Sequence, residues 1–163
     1  MLRDVKDRVS TDPDYIMLKS EKLLDFFTQL LPDQNFKIVL NTLNILNMII
    51  GMKEQSKRLD KVMKNDKPDQ SWGLSNTTLA RHIPLIVKKL ADSKNIIRQE
   101  AIKCLYGMFE IMRHGTKKDN NFIALILPYL NNSSNWHIRE ELLHLLIKCF
   151  LKADDPQVLF DPY

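Results

Sequence analysis

Glycine, cysteine and long apolar runs are all scarce in this sequence, and each scarcity excludes a class of protein. The 163 residues include only four glycines and two cysteines, so neither a glycine-rich phosphate-binding loop nor a disulfide scaffold is expected. No sustained alternation of apolar and polar residues marks a β-strand. The longest apolar stretch is interrupted by Asn41, Asn44 and Asn47, well short of the roughly 20 apolar residues that span a bilayer. These absences predict an all-α protein without a transmembrane helix.

Targeting signals are absent from the first residues, "MLRDVKDRVSTDPD", which have no apolar core and mix acids with bases. Cys104 and Cys149 fall inside apolar helical patterns, where a free cysteine behaves as a small hydrophobe in a reducing compartment. We therefore expect an intracellular protein. The net charge of +4 is modest, but the segment from Lys53 to Lys67 holds six basic residues against three acidic ones.

Helical periodicity predicts six helices in three pairs. The first begins at Pro13 behind an Asp12 N-cap and ends near "LPDQ", and the second runs from about Asn35 to Gly51. Residues 52–76 are predicted to form a long basic connection. The other four helices are expected in "TTLARHIPLIVKKLADS", in "NIIRQEAIKCLYGMFEIMRHG" with Gly115 as its stop, in "NFIALILPYL" and in "NWHIREELLHLLIKCFLKA".

An internal repeat links these pairs. Three segments align, each with a helix ending in leucine, a short polar turn and a second helix, and they begin at Leu31, Leu90 and Leu130. Ile97 and Ile138 occupy matching positions 41 residues apart, and periods of about 40 with two helices per unit are typical of HEAT and armadillo solenoids. The sequence thus predicts a single α-solenoid domain of HEAT-type helix pairs over residues 1–163.

The register of the repeat also predicts which residues of the second helices point inward. They are Ile38, Leu43, Leu46, Ile97, Ala101, Leu105, Ile138, Leu142 and Leu146. Asp92 and Arg98 match the acidic and basic positions that HEAT units use as a ladder, and Arg139 repeats the basic position.

Metal binding is suggested by the string "HIREELLH", in which His137 and Glu140, and Glu141 and His144, stand three residues apart. A Glu-x-x-His pair is half of a di-metal carboxylate site, but that architecture needs a second copy on a facing helix, and the sequence has none. His82 also has no Cys or His at ligand spacing, and neither has His114. We expect no metal and no cofactor.

Catalysis and nucleic-acid binding are likewise disfavoured. The sequence has no Gly-x-Ser-x-Gly elbow, and both cysteines are predicted to lie in the middle of helices. Lysines along a solenoid could follow a phosphate backbone, but aromatic residues suited to base stacking are not interleaved with them. We therefore expect a non-enzymatic protein with no small-molecule substrate, for which a membrane or nucleic acid is not the expected partner.

The turns between paired helices carry aromatic and basic residues at equivalent places, and stacking of repeats would bring them to one edge. These residues are Phe36, Lys37, Lys94, Asn95, Trp136 and His137. Each also has a purely structural interpretation. Phe36 can act as a hydrophobic staple, the preceding Asn135 as an N-cap, the lysines as solvated charges, and Trp136 as a plug over its own turn.

At these turns the sequence resembles a known family. The segments "NFKIVLNTLNIL", "IPLIVKKLADSKNIIRQEAIKCL" and "NWHIREELLHLL" look like TOG domains, especially those of CLASP and crescerin-type microtubule regulators, over about Leu31 to Lys152. The resemblance implies a HEAT-repeat paddle that binds the tubulin heterodimer, with the six turn residues as contacts, in the cytoplasm and on the cytoskeleton, including cilium or centrosome. A complete TOG domain has six repeats, so it also implies a fragment or a reduced member. A HEAT scaffold for other proteins is the alternative function.

Overall fold

The computed structural model describes residues 13–63, 75–113 and 122–152, and every regular element in these ranges is a helix. A 3₁₀ turn, Lys88–Ala91, joins the third helix to the turn that follows it. The six helices are α1 (Pro13–Thr28), α2 (Phe36–Met63), α3 (Asn76–Val87), α4 (Asn95–Arg113), α5 (Phe122–Asn132) and α6 (Trp136–Lys152). The all-α prediction is confirmed for this part of the chain.

The helices pack in two layers. The first helices of the pairs contact one another in chain order, α1 against α3 and α3 against α5. The second helices do the same, α2 against α4 and α4 against α6, and each helix also contacts its own partner. This arrangement is compatible with an α-solenoid.

One hydrophobic cluster runs through all three pairs, from Leu24 on α1 to Cys149 on α6. The burial pattern repeats most clearly at one equivalent position of the three second helices. The residues there are Ile45, Cys104 and Leu145, and each is at most 1% exposed. Because neither layer can bury its apolar side alone, this shared core holds the pairs together.

The predicted inward residues of the second helices are all buried or partly buried. Seven of the nine are buried, and Ile38 and Leu146 are partly covered. The prediction that these residues point toward the interior is therefore confirmed.

The predicted helix end at Gly51 is wrong, because α2 continues to Met63. A glycine in a helix interior costs only about 1 kcal/mol relative to alanine, and residues 52–63 supply strong helix formers such as Lys53, Glu54 and Arg58. The first half of the expected connection is thus helical, while residues 64–74 lie outside the described residues. The predicted caps Asp12 and Gly115 lie outside them as well.

A polar cluster sits where α1 packs on α3. His82 is 5% exposed, with Nδ1 3.0 Å from Thr28 Oγ1 and Nε2 3.0 Å from Asp25 Oδ1. Nearby, Glu21 accepts hydrogen bonds from the Thr78 hydroxyl and the Arg81 guanidinium. Burial lowers the pKa of His82 from its ordinary value of 6.5, and the Asp25 carboxylate opposes that shift.

None of the helices within the described ranges is long and apolar enough to cross a membrane.

Candidate interaction surface

The first and third turns are built by the same hydrogen bonds. Asp33 Oδ1 accepts from the Asn35 N–H, and Asn35 Oδ1 accepts from the Lys37 N–H at 3.0 Å. In the third turn Asn135 takes the same role, because its Oδ1 accepts from the His137 N–H at 3.0 Å. Side-chain capping satisfies N–H groups that a helix start leaves free, so these bonds set where α2 and α6 begin. The N-cap interpretation of Asn135 is confirmed.

The second turn differs from the other two at the residue before its helix, where Lys94 stands in place of the capping asparagine. Asp92 Oδ1 accepts from the Lys94 N–H, and the Lys94 carbonyl accepts the first bonds of α4, from Ile97 and Arg98. The Arg98 guanidinium donates to the backbone carbonyl of Asp92 and to Asn95 Oδ1. The expected side-chain ladder between Asp92 and Arg98 is therefore wrong for this pair, since the Asp92 carboxylate is used in capping the turn. Asn95, predicted as a contact residue, holds Arg98 in place.

Two contacts join the neighbouring turns in chain order. Lys94 Nζ lies 4.9 Å from the centre of the Phe36 ring, a cation–π distance that joins the first turn to the second. Arg98 Nε lies 3.6 Å from Glu141 Oε1, which joins the start of α4 to the start of α6. The three turns are thus consecutive neighbours.

Trp136 is not a buried plug, because it is 58% exposed. Its ring stacks on that of His137 with 3.6 Å between ring centres, and His137 Nδ1 lies 3.9 Å from Glu140 Oε2. A neighbouring ring on one face limits the rotamers of the tryptophan while leaving much of its surface in water. An exposed aromatic whose rotamers are restricted in this way can bind a partner at a low entropic cost.

Sequence reasoning missed Ile96 at the second turn, where the side chain is 48% exposed. The repeat register assigns a core position to Ile97 alone. A second isoleucine directly before it was therefore the signal of an exposed apolar side chain at this turn. We use the name turn surface for seven exposed or half-buried residues at the three turns and at the helix starts that follow them, which are Phe36, Lys37, Lys94, Asn95, Ile96, Trp136 and His137.

Comparison with models of protein families, with curated proteins and with solved structures finds no match to this chain. The chemistry of the surface must therefore be judged from its own residues. It combines the apolar side chains Phe36, Ile96 and Trp136 with the cations Lys37 and Lys94.

Within the described residues, the candidate metal ligands do not cluster and the candidate cysteine nucleophiles are buried. No cluster of three or more His, Cys, Asp or Glu side chains in these ranges is placed to hold a metal ion. Glu141 faces Arg98, and His144 is exposed. Both cysteines are buried, and burial raises the pKa of Cys104 far above its ordinary range and that of Cys149 to about 12. A thiol with so high a pKa has almost no thiolate at neutral pH and is a poor nucleophile.

Proposed function

We propose that the six helices form a HEAT-type solenoid of three pairs that acts as a non-catalytic binding module for tubulin. The solenoid part of the proposal is supported by the chain-order packing within each layer and by capping turns at equivalent places. It is also supported by matching burial, since Thr42, Ala101 and Leu142 stand at one repeat position and are each fully buried.

The observation that carries the tubulin proposal is the Lys94–Phe36 contact. It joins cationic and aromatic side chains of two neighbouring turns on an edge that, by resemblance to TOG domains, is the tubulin-binding edge. Tubulin is an acidic partner, and a basic edge gains association rate and affinity from complementary charge. The exposed aromatics supply the apolar area that binding hot spots need.

The direct test is binding of the purified chain to unpolymerised tubulin, measured at several salt concentrations. We expect binding that weakens as ionic strength rises, because exposed charges are screened. Trp136→Ala should weaken binding by at least about 2 kcal/mol, roughly 30-fold, if the ring is a hot spot. Lys94→Glu should also weaken binding, and neither variant should alter the helical spectrum, since both residues are exposed.

Lys22→Glu is the matched control, because Lys22 is an exposed lysine on α1, away from the turns. It should bind as the unmodified protein does. Reversal of charges between Lys53 and Lys67 should have a smaller effect than Lys94→Glu. If it abolishes binding while Trp136→Ala changes only thermal stability, tubulin remains the partner and the turn surface is the wrong site.

The alternative function is a HEAT scaffold for another acidic protein, and it is favoured if the folded chain shows no tubulin binding at low salt. The apolar and basic character of the turn surface suits either partner. The resemblance to CLASP and crescerin-type proteins favours tubulin and, with it, a cytoskeletal location, including the cilium or centrosome.

A further inference from the structure

The last part of α2 extends past the ends of the other second helices. In the repeat register Leu46 corresponds to Leu105 and to Leu146, so α4 ends level with residue 54 of α2 and α6 ends level with residue 52. Because α2 continues to Met63, residues 55–63 add about 13 Å of helix at 1.5 Å per residue. Within the described ranges, neither α4 nor α6 has residues at positions equivalent to these.

The residues on the side of α2 that faces α4 change from apolar to basic at this level. Leu46 and Ile50 are buried on that side, and the close approach of Ile50 to Gly107 shows that the side faces α4. The same spacing of three or four residues then continues through three lysines. We use the name basic row for these lysines, which are Lys53, Lys57 and Lys61.

The charge of this helix end is not balanced by its own acids. Residues 52–63 hold four basic residues against Glu54 and Asp60, which leaves two positive charges in excess. Like charges four residues apart destabilise a helix, so the basic row is stabilised by anions from outside the helix. Residues 52–63 contain no aromatic residue on which a nucleic-acid base could stack, which favours carboxylates as those anions.

An acidic segment of the same chain begins at the same end of the stack. α6 ends at Lys152, and residues 153–163, which lie outside the described residues, contain three aspartates and no lysine, arginine or histidine. Both α2 and α6 start at the turn surface, so both end on the opposite side of the stack. The segment therefore starts level with the beginning of the basic row, on the far side of α4.

We propose that residues 153–163 cross the end of α4 and bind the basic row through Asp154, Asp155 and Asp161. Two steps between neighbouring helices, roughly 8–10 Å each, separate α6 from α2, whereas eleven extended residues span up to about 36 Å. Single exposed ion pairs contribute little, but the covalent connection gives the segment an effective concentration in the millimolar range. The contact is independent of tubulin binding, because the basic row lies at the end of α2 remote from the turn surface.

Disulfide trapping in the full chain tests the proposal. The two native cysteines are buried, so an introduced pair, Lys57→Cys with Asp155→Cys, reports on this contact alone. We expect a disulfide within one chain that forms at least about ten-fold faster than in a control pair, because the segment is held at the row. Rising salt should slow its formation, since the contact depends on charge.

Thr77→Cys with Asp155→Cys is the matched control. Thr77 is exposed at the start of α3, and α3 starts where α2 ends because the turn after α3 belongs to the turn surface. Equal rates for the two cysteine pairs would overturn the proposal and leave the basic row to an external acidic partner. A fast disulfide that neither salt nor Lys53→Glu with Lys61→Glu slows, in protein with an unchanged helical spectrum, would overturn it equally.

Discussion

At the scale of single residues, two glycines in helix interiors have different reasons for being there. At Gly107, on α4, an added Cβ would lie 2.5 Å from Ile50 Cγ2 on α2, closer than real carbon atoms approach. At Gly51, on α2, an added Cβ would meet nothing within 4 Å. Gly107 thus permits the close approach of α2 to α4, whereas Gly51 weakens its helix without a packing benefit.

Alanine substitution should separate these two roles. Gly51→Ala should raise the free energy of unfolding by about 0.5–1 kcal/mol, because alanine is the better helix former. Gly107→Ala gains the same propensity but must displace the buried Ile50 side chain, so we expect a net loss of about 1–3 kcal/mol. Urea titration followed by circular dichroism measures both. Equal stabilisation by the two variants would mean that the close contact at Gly107 is relieved without cost.

The residues of the turn surface illustrate what a sequence can predict at this scale. The repeat register identified Phe36, Lys94 and Trp136 as turn residues, because that requires only local periodicity and turn composition. The contact of Lys94 with the Phe36 ring and the pairing of Arg98 with Glu141 join residues of different repeats. Such contacts depend on how the pairs stack, which no local pattern specifies.

At the scale of helices, the strongly periodic segments were predicted well and the boundaries less well. Pairs with short polar turns were identified because both apolar spacing and N-capping residues mark them. The extension of α2 past Gly51 was missed because a glycine was taken as the end of the helix. The strong helix formers that follow it outweigh the cost of that one glycine. The packing of α1 against α3 through His82 was also missed, since nothing in either segment alone brings Asp25 and His82 together.

The interface between α1 and α3 should respond to pH through His82. Burial lowers its pKa below 6.5, so below pH 6.5 the unfolded chain binds more protons at this residue than the folded chain does. The stability that neutral His82 contributes is fully present above pH 6.5. It is lost as the pH falls through the pKa of His82 in the folded chain. The slope from this one group cannot exceed about 1.4 kcal/mol per pH unit.

Urea unfolding at a series of pH values between neutral and mildly acidic measures this slope. His82→Gln is less stable at neutral pH if the side-chain contacts matter, but its stability should depend less on pH than that of the unmodified chain. His144→Gln is the control, because His144 is exposed, and it should retain the full slope. Parallel pH profiles for the His82 variant and the unmodified protein would contradict a buried neutral histidine.

At the scale of the whole molecule, the continuous core makes the three pairs interdependent. The cluster that begins at Leu24 and reaches Cys149 has Leu105, fully buried on α4, near its middle. A helix pair cannot bury its apolar face alone, so loss of packing in the central pair removes support from both neighbours. A stack of this size should therefore unfold in one cooperative transition.

Leu105→Ala tests this cooperativity, with an expected loss of about 2–5 kcal/mol for removal of a buried leucine side chain. The chain has two tryptophans, so a Trp72→Phe background makes Trp136 the sole fluorescence probe and places it on α6, outside the central pair. Helix content followed by circular dichroism reports on all pairs together.

Because the core is continuous, both probes should give the same unfolding midpoint, and Leu105→Ala should lower both midpoints by the same amount. If the variant lowers the midpoint of helix content but leaves that of Trp136 unchanged, the third pair folds independently and the stack is two units. A loss below about 0.5 kcal/mol, the usual limit for surface substitutions, would contradict the position of Leu105 at the centre of the core.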